Sequence, residues 1–460
     1  MKHVKTFSGL LGALLCILCI SCKKSVAVDL PIDKITSDRV FENDQTAIGA
    51  VSGIYSQMMP TVLFYSSGGT SIYAGLAADE LYITNATNPN EMQFAENSLS
   101  ASNGIIQTNF WYWSYKMNYQ ASLCIEQLSK SQTISPEVKN TLLGEARFIR
   151  AFNYFYLVNF FGDVPLVTGT DYKSNALISR TPVQQVYQQI IEDLLAAKSL
   201  LPEGYSGQGK GRPNKWSATA LLARVYLYMQ DWPNAAAEAT AVLNSGAYFL
   251  EDDLNNVFLV SSKEAIWQLF PVEAGFNTTI ARYLVPTSSA TSRPAFAITP
   301  QLISSFLPGD KRKAAWIKTK TVAGVQYNYV FKYKVRNLNL PVTEAYTVLR
   351  LAEMYLIRAE AKAQMDQLTE AKEDLDKIKF RAGLAESVAN DKSSLLDEIV
   401  TERKRELFAE WGHRWFDLKR MGTAIPVLSA YKNIEPYSLL WPIPQSELLR
   451  NPNLTQSPGY

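Results

Sequence analysis

The chain has 460 residues, with 45 Lys and Arg against 43 Asp and Glu, and only 2 His and 4 Cys. With 47% apolar residues, this length is enough for one extended domain or about three compact units. The near-equal charge counts offer no basic face for a phosphate backbone, and two imidazoles cannot build a His-rich metal centre. Composition therefore argues against nucleic-acid binding and against zinc hydrolase chemistry.

The N-terminal segment is typical of a secretory signal peptide. A short positive start is followed by an apolar run over residues 7–20, which is too short to span a hydrocarbon layer of roughly 30 Å. A small residue then precedes Cys22, which resembles a lipoprotein cleavage box. We expect residues 1–21 to be removed, Cys22 to carry the lipid, and residues 22–36 to form a tether. Cleavage before Cys19, or plain secretion with Cys22 as an ordinary thiol, are the alternatives.

Loss of the signal peptide changes both the charge and the cysteine count. It removes two Lys, which leaves 43 basic against 43 acidic residues, and it removes two of the four Cys. With Cys22 modified, Cys124 stays alone, so no intrachain disulfide is expected. Cys124 lies in an apolar stretch, residues 121–128, and is interpreted as a buried small hydrophobe, not as a nucleophile.

Two long stretches carry apolar residues at spacings of three and four, which predicts amphipathic helices. The first covers residues 138–160 and should end at Gly162. The second follows Thr181 and Pro182, where a capping Thr, a Pro at the first helical position and Gln184 together predict a capping box.

Two further stretches repeat the small and aromatic residues of a tetratricopeptide helix pair. The first covers residues 222–242 with a turn at Asp231. The second covers residues 351–378, and its Tyr-to-Ala interval is seven residues longer, which is almost two helical turns and keeps the packing face in phase. The two copies are over 100 residues apart. The fold class predicted is mainly α, with tetratricopeptide-like helix pairs forming a scaffold that long irregular and short-strand insertions interrupt.

Two insertions stand out from this scaffold. Residues 82–109 carry six Asn and no Lys or Arg, which predicts a long polar loop. Residues 271–345 combine several Pro with alternating stretches such as 325–333, which predicts irregular structure with short strands. Because loops held by a rigid frame carry binding groups, we expect the functional residues in these two insertions.

The candidate ligand-binding residues are the aromatic and amide side chains of these insertions. Aromatic rings present a flat apolar face that suits a sugar ring, and Asn can donate to and accept from hydroxyls without desolvating a charge. The aromatic run 111–113, with Tyr115 and Tyr119, is interpreted mostly as helix packing. The residues expected to bind ligand are Tyr82, Asn85, Asn88, Phe94, Phe276, Asn277, Tyr283, Arg293 and Phe296.

Two other motifs are interpreted as structural. Residues 204–210 match most of a phosphate-binding P-loop, but Gly211 stands where Ser or Thr must bind magnesium and a helix precedes the loop. Residues 402–420 are dense in opposite charges that should pair on a helix surface, with Leu407 and Trp411 on the apolar face and His413 packed. No catalytic residue, metal site or cofactor site is predicted, since no sequence cluster singles out a pair of carboxylates for glycoside hydrolysis.

Several segments, in order over nearly the whole chain after the signal peptide, together resemble the SusD/RagB family of nutrient-capturing outer-membrane lipoproteins. They are residues 41–55, 78–80, 144–167, 350–361, 402–406, 413–420, 440–447, 451–454 and 458–460. The stretch after Gly144 reads Glu-Ala-Arg-Phe-Ile-Arg-Ala-Phe, and that after Leu440 reads Trp-Pro-Ile-Pro-Gln.

The resemblance implies a single α-rich domain over residues 37–460 and no catalysis. It implies binding of an oligosaccharide and its delivery to a SusC-like TonB-dependent transporter. The Asn-rich first insertion, which has no Lys or Arg, is the reason to expect a neutral oligosaccharide. The lipid anchor would hold the protein at the outer membrane, on the cell surface. Ligand residues cannot be transferred by motif, so those given above depend on composition and position. The alternatives are a structural lipoprotein whose tetratricopeptide-like grooves bind a protein partner, and capture of a nutrient other than a glycan.

Overall fold

Helices dominate the fold, as the periodicity predicts. The computed structural model describes residues 37–460. Helix α1 (Ser37–Val40) falls in a unit separate from residues 41–460, which pack as one unit. The expected signal peptide, the lipidated Cys22 and the tether lie outside the described residues. None of the helices in the described part of the chain is long and apolar enough to cross a membrane.

The elements of the larger unit follow in chain order. Its first helices are α2 (Asp44–Met58), α3 (Gly69–Ala77), α4 (Pro89–Ala95), α5 (Trp113–Lys130), α6 (Pro136–Phe161), α7 (Tyr172–Asn175) and α8 (Val183–Leu200). The next are α9 (Lys215–Tyr228), α10 (Trp232–Leu243), α11 (Thr279–Leu284), α12 (Pro300–Ser305) and α13 (Lys311–Trp316). The last are α14 (Leu351–Gln364), α15 (Leu368–Arg381), α16 (Lys392–Leu407), α17 (His413–Arg420), α18 (Ala424–Leu428) and α19 (Gln445–Arg450). A π-helical turn, Ile106–Tyr112, leads directly into α5.

The strands are short and pair in twos. They are β1 (Leu81–Ile83), β2 (Ala265–Leu269), β3 (Phe296–Ile298), β4 (Ile317–Val322), β5 (Val325–Val330) and β6 (Tyr346–Arg350). The three pairs, β1 with β3, β2 with β6 and β4 with β5, are all antiparallel.

Helix α6 is the centre of the core. It begins with a proline in its first turn and ends at Gly162, whose φ of 73° lies in the left-handed region that glycine favours. The predicted helix and its end are therefore confirmed. A Cβ on Gly144 would lie 2.8 Å from Leu201 Cγ, so α6 packs closely against the end of α8. Phe160 stacks on Trp441 with ring centroids 3.9 Å apart, which fastens the C-terminal segment to this helix.

The predicted capping box of α8 is wrong, although the helix itself is confirmed. Pro182 occupies the position before the helix and makes no side-chain cap. Thr181 is instead extended and exchanges backbone hydrogen bonds of 2.9 and 3.3 Å with Val164. Asp163 Oδ1 accepts the N–H of Val183 at 2.9 Å. A partner that is distant in sequence thus supplies the cap that the local motif predicted.

Both predicted tetratricopeptide-like helix pairs are confirmed. Helices α9 and α10 pack together with Ala235, Ala239 and Val242 buried between them. In the second pair, α14 and α15 bury Leu356 and Leu375 in one cluster with residues of α16. The small residues allow the helix axes to approach closely, and the result is a rigid scaffold.

The first insertion is more ordered than the predicted polar loop. It contains β1, α4 and most of the π-helical turn. Its Asn residues satisfy local backbone groups: Asn88 Oδ1 accepts from the N–H of Asn90 at 3.1 Å, and Asn103 Oδ1 accepts from the N–H of Ile105 at 3.0 Å. These Asn side chains, which the sequence suggested were available to a ligand, therefore stabilise local turns by accepting backbone N–H groups.

The second insertion has the short strands that were predicted. Strand β5 lies in the alternating stretch, and it pairs with β4 through a turn in which Ala323 and Gly324 have φ of 49° and 79°. Strand β3 pairs with β1, with Tyr82 opposite Ala297, so the two insertions are joined by one ladder.

The charges of residues 402–420 pair as predicted, but the expectation that they do so on a helix surface is wrong. Glu402 and Glu406 are fully buried. Arg312 Nη1 lies 2.6 Å from Glu402 Oε1, and Arg350 Nη1 lies 2.6 Å from Glu406 Oε1. Burial by itself raises the pKa of Glu406, but Arg381, Arg350 and Arg312 together hold it well below its usual value. The second insertion covers this face of α16, which local sequence cannot reveal.

Candidate functional site

An open cavity of about 640 Å³ lies where the two insertions meet, and we call it the loop cavity. It is lined by Tyr82 of β1, by Ile298 of β3, and by side chains that follow in the second insertion, including Ser304, Lys313, Gln326 and Asn328. Because side chains alternate along a strand, Leu81 enters the core while Tyr82 stays half-buried at the cavity. The ladder between β1 and β3 fixes this position.

The β4–β5 hairpin supplies the polar wall of the loop cavity. Thr319 Oγ1 donates to Asn328 Oδ1 at 2.7 Å, which orients the amide. The amide nitrogen of Asn328 and the side chains of Gln326 and Lys313 have no hydrogen-bond partner among residues 37–460. These groups are therefore available to a ligand.

The lining of the loop cavity, within the described residues, has one positive charge and no carboxylate. Among its lining residues in the described part of the chain, Lys313 is the one charged side chain. Burial, and then the neighbouring Tyr327, raise the pKa of Tyr82, so its hydroxyl stays protonated and can donate a hydrogen bond. The cavity can thus offer the rings of Tyr82 and Phe306, amides and hydroxyls, which suits binding to a hydroxyl-rich ligand.

The structure places several predicted ligand residues near the surface. Asn85, Asn88 and Arg293 are exposed, and Arg293 Nη1 donates to the carbonyl oxygen of Thr84 at 3.2 Å beside the β1–β3 ladder. Phe276 and Tyr283 are half-buried, and the guanidinium of Arg282 lies 4.7 Å from the ring centroid of Phe276. Of the nine predicted residues, Tyr82 is the one that lines the loop cavity.

Three of the predicted ligand residues have structural contacts instead of an exposed face. Phe94 is fully buried and packs edge-on against Trp441 at 5.0 Å. Asn277 is buried, and its Oδ1 accepts the N–H groups of Thr343 and Glu344 at 2.8 and 3.0 Å.

Phe296 is the third of these residues. It lies on β3 opposite Ile83 and is 2% exposed. An aromatic ring or amide in a polar insertion can be buried to attach the insertion to the core. Composition does not distinguish that role from ligand binding.

The sequence reasoning missed a second cavity, of about 410 Å³, which we call the aromatic cavity. Its lining includes Trp111, Tyr112, Tyr115, Tyr119 and Tyr172. Trp111 is buried, as the packing interpretation predicts, but Tyr112, Tyr119 and Tyr172 are 53%, 44% and 73% exposed. The signal that could have found it is the spacing of Tyr112, Tyr115 and Tyr119, which places three tyrosines on one helix face.

The residues set aside as structural are packed in the fold. Cys124 is buried as predicted, and burial raises its pKa to about 12, so the thiolate is suppressed. Lys210, in the P-loop-like segment, donates to the carbonyl oxygens of Ser262 and Ala265 at 2.7 and 2.6 Å. Burial, and then the charge of Arg224, lower the pKa of His413 well below its usual value. Within residues 37–460, no three His, Cys, Asp or Glu side chains are grouped so that they could hold a metal ion.

Comparison with known proteins identifies the family. A family model described as "Starch-binding associating with outer membrane" matches residues 56–227, and the model of the SusD family matches residues 309–460. A SusD-like protein of Formosa agariphila is 23% identical, over 95% of this chain and 96% of its own. Another from the same organism is 28% identical, over 79% of this chain and 82% of its own.

Solved structures show the same fold. A SusD superfamily protein from Bacteroides vulgatus superposes with a TM-score of 0.81 at 22% identity, covering 91% of this chain and 99% of that one. A "Laminarin binding SusD-like protein" gives a TM-score of 0.79 at 25% identity, over 91% and 100% of the two chains. "Surface glycan-binding protein A from Bacteroides fluxus" gives 0.77 at 22% identity, over 90% and 99%. From its family matches, its relatives and its fold, the chain belongs to the SusD/RagB family.

Proposed function

We propose that this protein binds a neutral oligosaccharide in the loop cavity and releases it unchanged to a SusC-like TonB-dependent transporter. The observation that carries the proposal is the meeting of the two insertions at this cavity. Tyr82 lines it together with Gln326 and Asn328, whose amide nitrogens have no hydrogen-bond partner among residues 37–460. The volume of about 640 Å³ lies within the range of roughly 300–1,000 Å³ that ligand sites occupy.

The chemistry of the lining supports a carbohydrate. The ring of Tyr82 can stack on the apolar face of a pyranose, while amides donate to and accept from its hydroxyls. The first insertion has no Lys or Arg, and the described lining has no carboxylate. Without a carboxylate at the cavity, no side chain there is suited to protonate a glycosidic oxygen, which supports binding without cleavage.

The comparisons support the same ligand class. One solved relative is described as laminarin binding and another as a surface glycan-binding protein, and those descriptions concern those proteins. One matching family model is described as starch-binding and associated with the outer membrane. We transfer the ligand class to this chain as part of the proposal, with the sugar left to experiment.

The proposal includes the location of the protein. Residues 1–21 have the pattern of a lipoprotein signal peptide, and Cys22 would carry the lipid that anchors the protein in the outer membrane, facing the cell surface. Cys22→Ala should then move the protein out of the outer-membrane fraction. A wild-type protein that is degraded by protease added to intact cells would support surface exposure, and full protection would contradict it.

The binding proposal is tested by calorimetric titration of the purified full chain with neutral and acidic oligosaccharides. Tyr82→Ala and Gln326→Ala should each weaken binding of a neutral glycan, by roughly tenfold for the ring. Tyr431→Ala and Gln185→Ala, which change exposed side chains outside the loop cavity, are the matched controls.

Binding confined to polyanions would contradict the neutral ligand, and equal affinity in all four variants would contradict the cavity. New reducing ends after incubation with the bound glycan would contradict a non-catalytic role. Co-purification of the wild-type chain with a large outer-membrane barrel in detergent would support delivery to a transporter.

A further inference from the structure

The aromatic cavity is a second concave surface of the protein, separate from the loop cavity. It lies between the start of α5, the segment after α6, the short helix α7 and the C-terminal residues from Glu447 onwards. None of the residues that line it lies in the lining of the loop cavity. Its volume of about 410 Å³ is within the range of roughly 300–1,000 Å³ for ligand sites.

A stripe of tyrosines lines one side of the aromatic cavity. Tyr112, Tyr115 and Tyr119 are spaced three and four residues apart, so they share one face of the helix. Tyr112 is the last residue of the π-helical turn, and such turns are frequent at functional sites. Tyr112 and Tyr119 are half-exposed, and Tyr172 of α7 is 73% exposed. Exposed aromatic rings around a concavity offer flat faces that the core does not use.

The polar groups of the cavity are also free. The hydroxyls of Tyr112, Tyr119 and Tyr172 have no hydrogen-bond partner within residues 37–460. Trp111 is 97% buried, yet its indole N–H has none among these residues either. The nitrogen is not one of the fully buried side-chain atoms that lack a partner, so it is open to the cavity and can donate to a ligand acceptor.

Hydrogen bonds and ring packing fix the walls of the aromatic cavity. Tyr115 donates to the carbonyl oxygen of Pro165 at 2.8 Å, and Trp111 packs edge-on against Phe161 with centroids 5.0 Å apart. On the opposite side, Asn451 donates to the carbonyl oxygen of Ile178 at 2.8 Å, which fixes the C-terminal segment beside α7. A preformed site loses little conformational entropy on binding.

The charge of the cavity indicates the class of ligand. Among residues 37–460, its two charged lining residues, Glu447 and Arg450, pair with each other at 3.0 Å, so this described lining has no net charge. Flat rings, hydroxyls and one indole donor, without an unpaired charge, suit a neutral sugar, which has apolar faces and a hydroxyl rim. We propose that the aromatic cavity is a second binding site for neutral carbohydrate. The ligand class is the one given in the proposed function, and the inference rests on it to that extent.

The test counts binding sites in the full chain, purified in detergent. The probes are neutral hexasaccharides with β-1,3-glucose, α-1,4-glucose, β-1,4-mannose and β-1,4-xylose backbones, titrated by calorimetry. One variant removes the loop cavity contacts, Tyr82→Ala with Asn328→Ala. A second removes exposed rings of the aromatic cavity, Tyr112→Ala with Tyr172→Ala. A third combines the four changes, and Tyr431→Ala, a tyrosine 55% exposed outside both cavities, is the control.

We expect at least one probe to bind the loop-cavity variant at a single remaining site, and the combined variant to bind that probe at least tenfold more weakly. The ¹⁵N-indole resonance of Trp111, assigned by its loss in Trp111→Phe, should shift during titration of the loop-cavity variant. A merely structural ring would not respond in this way.

Other outcomes separate the two proposals. If every probe that binds wild type has one site, and the loop-cavity variant abolishes it, the second site is refuted and the loop cavity stands. If the loop-cavity variant binds as wild type does while the Tyr112 and Tyr172 variant does not, the loop cavity is refuted and the aromatic cavity stands. If no probe binds wild type, both are refuted.

Discussion

Glu80 is a carboxyl group that the fold keeps protonated, directly before the strand that carries Tyr82. It is 1% exposed, its Oε1 has no hydrogen-bond partner among residues 37–460, and its Oε2 accepts only a long bond of 3.4 Å from the N–H of Ala409. Burial, and then the charge of Asp79, raise the pKa of Glu80 to about 8. Asp79 itself stays ionised because Arg414 and Lys404 each contact it at 2.7 Å.

The raised pKa makes stability depend on pH with a definite sign. Between 4.5 and about 8 the folded protein holds a proton on Glu80 that the unfolded chain releases. The stability that protonated Glu80 gives the folded protein is therefore fully present below pH 4.5 and is lost as the pH rises towards 8. At 1.36 kcal/mol for each pH unit, the loss amounts to roughly 5 kcal/mol, of which about 4 kcal/mol falls between pH 5 and pH 9.

Glu80→Gln removes the ionisation and keeps the shape, so it isolates this effect. Relative to wild type, the variant should gain about 4 kcal/mol in the free energy of unfolding between pH 5 and pH 9, with a small cost at pH 5 for its extra N–H donors. Urea unfolding followed by circular dichroism at pH 5, 7 and 9 measures the difference. Glu386→Gln, at an exposed position, is the control for losing a carboxylate.

Parallel pH curves for Glu80→Gln and wild type would refute the reasoning, as would a variant that is destabilised more at pH 9 than at pH 5. Either result would mean that Glu80 is ionised in the folded protein. Because Thr299 donates its N–H to the carbonyl oxygen of Glu80 at 3.0 Å, a loosened Glu80 would also disturb the β1–β3 ladder beside the loop cavity.

Other predictions concern the scaffold. Arg350→Met should lower the free energy of unfolding by roughly 3–5 kcal/mol in urea titration, because it leaves buried carboxylates without their positive partner. The Lys130 side chain is 66% exposed, so Lys130→Met, the control, should cost under about 1 kcal/mol. In the native protein at pH 8, peptide mass spectrometry should find Cys124 unmodified by iodoacetamide, and modified in urea, because burial raises its pKa to about 12. Gly144→Val should lower the melting temperature, at a cost of roughly 1–3 kcal/mol, because its Cβ would meet Leu201 at 2.8 Å.

The helices could be predicted because their periodicity is local. Helix α6 and the two tetratricopeptide-like pairs have the expected faces, and α6 ends at Gly162 where the sequence places it. The features that local sequence could not supply are those with distant partners. The first backbone N–H of α8 is capped by Asp163. The buried carboxylate of Glu402 pairs with Arg312, which lies 90 residues earlier in the chain.

The two insertions that line the loop cavity could be picked out from the sequence, but most of the lining residues could not. Both insertions line it, as expected of loops on a frame, yet Tyr82 is the one predicted residue in its lining. Phe94 and Tyr112 show why the others differ. Each is an aromatic residue in or beside a polar segment, and the first is fully buried while the second is 53% exposed. Phe94 is buried against Trp441, which is distant in the chain, and local sequence does not reveal that contact.

Buried ion pairs on α16 and just after it explain how an irregular insertion can hold a defined cavity. The β4–β5 hairpin, which carries Gln326 and Asn328, lies in the chain between Arg312 and Lys332. Arg312 pairs with Glu402 at 2.6 Å, and Lys332 pairs with Glu410 at 2.5 Å, all in the core. Breaking one buried pair costs roughly 3–5 kcal/mol, so both ends of the hairpin are fixed to the scaffold. A substitution at the cavity, such as Gln326→Ala, should therefore leave the hairpin in place, because the ion pairs that position it lie outside the described cavity lining.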